Sequence, residues 1–269
     1  MNASVTEEKK PAGADDKYVL RSVGRALDIL QALGNQDSEG MTVVELADKI
    51  GVSKSTAFTL LQTLLARGFV ADERLGSLRR YRLGLSLVHL GDRAASNIGI
   101  TQLALPVLQQ LTHHTGLTSR LAVLDEGYAV AITRVDAPGI FRLAGSLGTR
   151  ELPHCSGVGK ALLALLPPAR VLQILKKIGM PRRTEHTITD PAKLVKELVD
   201  VAERGYAFDD EEDNLGVICV ASAITSRNGD GIAAISVTSM KGGRSSEDMH
   251  QLGLVVQGYA DRISKLLGV

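Results

Sequence analysis

Near the start of the chain, apolar residues recur at helical spacing in three short stretches. Val23, Ala26, Leu27, Leu30 and Leu33 fall three or four residues apart, which predicts one buried stripe on a first helix. Ser22 stands at its start as a cap, and the polar stretch from Gly34 to Gly40 ends it. Thr42 followed by Glu45 fits a capping box, and Val43, Leu46, Ala47 and Ile50 give a second helix its apolar face. Gly51 makes a tight turn, and a third helix opens on the hydroxyl cap Ser53 and runs to Leu65. On this third helix Ala57, Leu60, Leu61 and Leu64 share one side. Ser55, Thr59 and Gln62 take the other side, with Thr56 and Thr63 on one flank and Phe58 on the other.

A short amphipathic helix, a tight turn and a second amphipathic helix form the helix-turn-helix plan, whose second helix enters the DNA major groove. The polar face of the third helix is uncharged and rich in hydrogen-bonding groups of the kind that read base edges. Lys54, near the helix start, suits a phosphate. Taken alone, the same face fits an ordinary solvated helix equally well.

The residues beyond the third helix shift that balance. Arg67 to Ala71 reads as a helix stop and a strand, Asp72 to Leu78 as a polar turn, and Arg79 to Gly84 as a returning strand. A two-stranded ribbon beside a reading helix makes a winged helix-turn-helix. Arg74, Arg79, Arg80 and Arg82 would then lie on the sugar-phosphate backbone or in the adjacent minor groove.

The pattern changes after a helical joining segment, Leu85 to Asn97, and a helix from Thr101 to His114 interrupted near its start by Pro106. Arg120–Leu124 and Tyr128–Val135 are strand-like and joined at Asp125-Glu126-Gly127, a hairpin signal. Ile140–Ala144 is a further strand candidate. Val217–Thr225 and Ile232–Ser239 flank a second hairpin at 227–231. Helical stretches are expected over Gly159–Leu166 and Pro191–Arg204. A final amphipathic helix carries Leu252, Val255, Val256, Tyr259, Ile263 and Leu266. Hairpins mixed with separate helices make an α+β domain around a mostly antiparallel sheet.

At 269 residues the chain accommodates two cores. The organisation read from it is a disordered polar tail over 1–16, a winged domain over 17–84, a joining helix over 85–100 and a second domain over 101–269. Hydrophobic residues make up 44% and charged residues 23%, an ordinary globular balance with no apolar run of membrane-spanning length. Two cysteines far apart in sequence, Cys155 and Cys219, fit a reduced, cytoplasmic protein. The net charge of +1 makes the local basic patch, rather than the whole chain, the electrostatic argument for DNA.

Candidate chemistry in the second half thins out on inspection. Gly157-Val158-Gly159-Lys160-Ala161 falls short of a phosphate loop, because His154 occupies the first glycine position and Ala161 follows the lysine. A glycine-containing turn entering a helix survives, with Ser156 as its cap and backbone N–H groups able to hold a carboxylate or phosphate. A plain, closely packed helix start is the competing reading. The acidic run Asp209 to Asp213 lacks the EF-hand glycine and glutamate, Asn214 and Val220 standing there, and reads as a solvated acidic turn. Cys219 lies inside an apolar strand, where a small buried hydrophobe is expected rather than a nucleophile served by His154. The other histidines show no metal-ligand spacing, and no cofactor is implied.

Together these segments resemble the IclR family of transcription regulators over almost the whole chain after the tail. The resemblance is carried by Ser22–Leu30 (Ser-Val-Gly-Arg-Ala-Leu-Asp-Ile-Leu), Gly51–Leu65 and Tyr81-Arg82-Leu83-Gly84. In the second half it is carried by His154–Ala161, Gly205–Glu212, Val217–Ala221 and Ala233–Thr238. It implies a winged helix-turn-helix, a helical linker and a GAF-like effector domain. It further implies homodimers or homotetramers on double-stranded operator DNA near a catabolic operon, most simply as a repressor. The effector site carried over comprises Gly157, Val158, Asp209, Cys219, Ser236 and Thr238, with Ile140 and Leu143 as an apolar wall. Thr238 stands where the family commonly has Ser, and narrows the pocket by a methyl; Thr59 stands where the family usually has Arg. These groups suit a small organic acid, aromatic acids included, and Arg142 and Arg150 lie nearby in sequence. The rival expectation is a metabolite-binding protein or enzyme whose N-terminal domain makes protein contacts.

Overall fold

The computed structural model describes residues 20–36, 39–75, 78–97, 99–138, 145–226 and 229–268. The tail expected over 1–16 and the strand expected over Ile140–Ala144 lie outside the described residues. The chain divides into two units, Met1–Ala94 and Ala95–Val269.

The first unit runs α1 (Arg21–Gly34), β1 (Met41–Thr42), α2 (Val43–Ile50), α3 (Lys54–Ala66), β2 (Val70–Leu75), β3 (Leu78–Leu83) and into α4 (Ser86–Asn97). Local chemistry sets these boundaries. Glu45 N–H donates to Thr42 Oγ1 at 3.3 Å while Thr42 N–H donates to Glu45 Oε2 at 2.7 Å, closing the capping box on α2. Those bonds from Thr42 hold the Glu45 carboxyl below its ordinary range. Gly51 ends α2 in the left-handed region at φ +67°, which a side chain would resist, and so turns the chain sharply toward α3. Ser53 Oγ accepts from Thr56 N–H at 3.2 Å and caps α3.

Ile29, Leu46, Leu61 and Tyr81 are fully buried together, so the three helices and the ribbon share one core. β3 pairs antiparallel with both β1 and β2. The wing strands extend further than the sequence pattern predicts, because Asp72–Leu75 pair in register with Leu78–Tyr81 and shorten the turn. α1 also differs from expectation. Leu20 occupies its N-cap position with no side-chain cap, Ser22 lies inside the first turn, and Val23 and Leu27 are about half exposed. The buried stripe is instead Ile29, Ala32 and Leu33, with Ala26 and Leu30 against it.

The second unit contains α5 (Ile100–Thr115), β4 (Thr118–Asp125), β5 (Tyr128–Val135), β6 (Arg150–Glu151), α6 (Gly157–Leu163), α7 (Pro168–Ile178), α8 (Pro191–Arg204), β7 (Ala207–Asp210), β8 (Val217–Thr225), β9 (Gly231–Met240) and α9 (Ser246–Leu266). Its six strands form one antiparallel sheet in the order β6-β5-β4-β9-β8-β7.

Strand alternation divides this sheet into two unlike faces. Large aliphatics (Leu121, Ile218, Val220, Ile224, Ile235, Val237) point to one side and pack with Leu108 and Leu111 of α5 and Val256 and Ile263 of α9. The opposite side is small: Ala122, Ala129, Ala207, Ala221 and Ala234 cluster with Val158, Ala161 and Leu162 of α6. Small residues there let a helix lie close to the strands and leave room beside it for polar groups.

α5 runs through Pro106 rather than breaking at it. α6 begins at Gly157, two residues before the expected start, and ends at Leu163. α7 has no counterpart among the expected elements. Pro168 opens it at a first-turn position needing no N–H, and Val171, Ile174 and Leu175 are buried against Leu163, Leu194 and Leu198. β7 is likewise unexpected, since Ala207-Phe208-Asp209-Asp210 is too short and acidic to stand out.

Candidate functional site

In the first unit, Ser53 positions α3 and the buried Ala57, Leu61 and Leu64 fix which side faces outward. Lys54, Ser55, Phe58 and Thr59 are exposed, and Thr56 is half-buried. Thr59 Oγ1 donates to Ser55 O at 3.0 Å, and Thr63 Oγ1 donates to Thr59 O at 3.1 Å. These hydroxyl protons are spent on the helix backbone, which leaves the oxygens as acceptors. Gln62 departs from expectation: it is only partly exposed, and its amide nitrogen is buried without a partner among the described residues.

The wing arginines are more engaged than their spacing predicts. Arg79 Nε pairs with Asp72 at 2.6 Å and Arg82 Nη1 with Glu73 at 2.8 Å, each across the ribbon. Arg80 Nη1 donates to Gly40 O at 2.8 Å and ties the ribbon to the loop before β1. Arg74 is exposed and has no ion-pair partner among the described residues.

In the second unit, sheet register gathers residues that are far apart in sequence. Asp209 lies opposite Cys219, Cys219 opposite Thr238, and Thr238 opposite Thr118. One step along, Ala221 lies opposite Ser236 and Ser236 opposite Arg120. All belong to the small-residue face, by strand alternation. Cys219 Sγ and Thr238 Oγ1 are 3.5 Å apart. A side chain built on Gly157 would meet Cys219 O at 3.3 Å and Ala221 Cβ at 3.4 Å, so glycine there brings the start of α6 onto β8. Val158 is buried among the alanines. Six of the eight expected effector-site residues therefore share one face; Ile140 and Leu143 lie outside the described residues.

The acidic run is not the solvated turn that its composition predicts. Asp209 and Glu212 are both buried. Asp209 Oδ1 accepts from Glu212 N–H at 2.8 Å and Asp213 N–H at 3.2 Å, folding the loop onto its own strand. Burial pushes the Asp209 carboxyl up to about 7, against the lowering effect of those two N–H groups. Burial also raises Glu212, although the ammonium of Lys160, itself buried, pairs with it directly. Thr184 and Thr187 hydroxyls donate to the Glu211 and Glu212 carbonyls and lock the same loop.

Nucleophilic chemistry finds no support here. Burial pushes the Cys219 thiol up, so it is a neutral thiol at physiological pH. The His154 ring is also buried, sits 3.1 Å from Pro181 O, and is held below its ordinary range by desolvation. Among the described residues no cluster has the make-up of a metal site, and no helix is long and apolar enough to cross a membrane.

Sequence reasoning missed Arg120. It is buried on the polar side of the sheet, with Nη1 on Glu151 Oε1 at 2.5 Å and Nη2 3.8 Å from Cys219 Sγ. The available signal was an arginine at the inward parity of a strand whose other members are small or aliphatic.

A winged reading domain joined to a sheet with one small, polar face fits a DNA-binding transcriptional regulator carrying a ligand-binding domain. Comparison with known proteins specifies it further. Residues 22–74 match the IclR helix-turn-helix domain, and residues 92–265 match the bacterial transcriptional regulator IclR C-terminal domain. The chain belongs to the IclR family. It is 34% identical over 249 residues to the HTH-type transcriptional regulator KdgR of Escherichia coli, covering 93% of each chain. It is also 34% identical over 226 residues to the HTH-type transcriptional regulator BhcR of Paracoccus denitrificans, covering 84% of this chain and 80% of the relative. The crystal structure of the Thermotoga maritima IclR superposes with a TM-score of 0.77 at 28% identity, covering 92% of this chain and 99% of that one.

Proposed function

We propose that this regulator represses a catabolic operon from the cytoplasm and releases it in response to a small organic acid. The observation carrying the effector half is the row Asp209, Cys219, Thr238 with Ser236 beside it, polar groups gathered on one otherwise alanine-lined sheet face. A buried polar row costs free energy unless something pairs with it, and a polar ligand does so. Gly157 and Val158, where α6 meets β8, border the same place.

On the DNA side, Ser55, Thr56, Phe58 and Thr59 present acceptor and apolar groups to base edges, and Lys54 takes a phosphate. Arg79 and Arg82 are held by solvent-screened surface ion pairs, so phosphates compete for them readily. Arg74 is already exposed to do the same. The winged unit over 17–84 and the effector unit over 101–269 communicate through the joining segment at 85–100, which contains α4. In a homodimer or homotetramer, an acid that binds one arrangement of the effector units better changes the separation of the winged units. Operator half-sites have fixed spacing, so that change alters affinity.

The test is a mobility shift on the DNA upstream of the protein's own coding region, at two salt concentrations, with and without small carboxylates. Support is a salt-sensitive complex, lost in Lys54→Ala/Ser55→Ala with oligomeric state unchanged and weakened by one acid. Undiminished binding by that double variant would remove the α3 assignment, and a complex strengthened by the acid would remove the repressor assignment.

A further inference from the structure

Arg120 leaves one edge of its guanidinium unspent. The residue is 6% exposed and lies on the sheet face that carries Cys219, Ser236 and Thr238. Nη1 is committed to Glu151. Nη2 reaches only a thiol sulfur at 3.8 Å, a weak acceptor, and Nε–H has no partner among the described residues. Nε and Nη2 donate from the same side of the planar group. The unspent edge is therefore the one that grips a carboxylate with two parallel hydrogen bonds. Register sets Ser236 opposite Arg120, and its buried hydroxyl also has no partner among the described residues. Two orphaned polar groups adjacent on one buried face call for a shared acceptor, since an unpaired donor away from water is costly.

We infer that the Nε–Nη2 edge of Arg120, with the Ser236 hydroxyl beside it, is the anchor that seizes the carboxylate of the effector. The inference rests on the effector site proposed for this sheet face and gives it a specificity-determining residue. Glu151 stays on Nη1 and orients the guanidinium, so the free edge faces Cys219 rather than rotating away. Asp209, the carboxyl nearest along the polar row, is held largely protonated by burial below about pH 7 and repels an arriving anion little there. Lys160 is already neutralised by Glu212, and it does not compete for the ligand. Uncharged analogues of the same shape are rejected, because an amide nitrogen faced with a guanidinium edge leaves donors pointing at donors.

The experiment uses the full-length protein and four probes: 4-hydroxybenzoate, benzoate, pyruvate and succinate, each beside its carboxamide. Affinities are read by calorimetry, and the Arg120 Nε–H resonance is followed by ¹⁵N NMR, assigned by its absence in Arg120→Lys. The expected result is at least one acid that binds, moves that resonance downfield and loses roughly 100-fold in affinity in Arg120→Met and as its carboxamide. Arg120→Lys keeps the charge and the Glu151 pairing, and is expected to lose about 10-fold because the fork is gone. Equal affinity in wild type and both variants, an unmoved resonance, or no binding by any acid at millimolar concentration would overturn the inference. Should Arg120→Met fail to fold, the resonance and the lysine variant decide alone. Ser236→Leu/Thr238→Leu separates the two levels: acid binding that survives it removes the effector site itself. Binding lost there but unchanged in Arg120→Lys and Arg120→Met removes only the anchor.

Discussion

Replacing Asp209 with Asn should make the effector domain more stable in neutral and alkaline solution and leave it nearly unchanged in acid. Asp209 is buried, and its carboxyl is raised from 3.8 to about 7 chiefly by desolvation. Between those two values the folded chain holds a proton that the unfolded chain has released. Stability is therefore greatest below about pH 4, falls as pH rises, and has lost its full increment above about pH 7. A shift of about three units at roughly 1.36 kcal/mol each sets the increment at no more than about 4 kcal/mol. Asn keeps an oxygen for the Glu212 and Asp213 N–H groups and carries no charge to desolvate, so its stability should lack this slope. Urea denaturation of both proteins from pH 4 to 8.5, followed by circular dichroism, gives the difference directly. The variant should gain progressively toward pH 7 and then level off. A difference that stays flat with pH, or that favours wild type at pH 8, would refute the argument that burial governs this carboxyl.

Packing sets two further outcomes. Leu61→Ala removes a fully buried side chain from the only core shared by the reading helix and the wing among the described residues; it should cost about 2–5 kcal/mol in chemical denaturation and reduce operator binding with it. A loss under about 1 kcal/mol would mean that the site collapses without α3 depending on it. Lys160→Met strands the buried Glu212 and should destabilise by about 3–5 kcal/mol, while Lys160→Met/Glu212→Leu should recover most of that loss; a double variant no better than the single would show that the pair is not the dominant contact.

The N-terminal unit was legible because its signals are local. Thr42 with Glu45, Gly51 and Ser53 act within three or four residues of themselves, and each does in the structure what its position predicts. Two hairpins of the effector domain, β4–β5 and β8–β9, were marked by glycine-bearing turns, Glu126-Gly127 and the segment ending at Gly231. α7 and β7 escaped, the first behind a Pro-Pro pair that looks like a break and the second inside an acidic run. Three of the wing arginines also read differently in isolation, because their partners stand on another strand or loop.

Sequence alone determined the helix-turn-helix, two hairpins of a mostly antiparallel sheet, and the family that these resemble. Periodicity and capping are properties of neighbouring residues, so they survive without a fold. Tertiary structure decided which polar groups are buried and which are paired. Asp209 and Glu212 look like solvent-facing acids until β7 docks on β8 and a lysine 52 residues earlier closes on Glu212. Arg120 looks like an ordinary strand arginine until β4 and β9 set it against Ser236 with one edge unspent. Desolvation and long-range pairing depend on neighbours distant in the chain, and strand register together with the packing of α6 on the sheet supplies them.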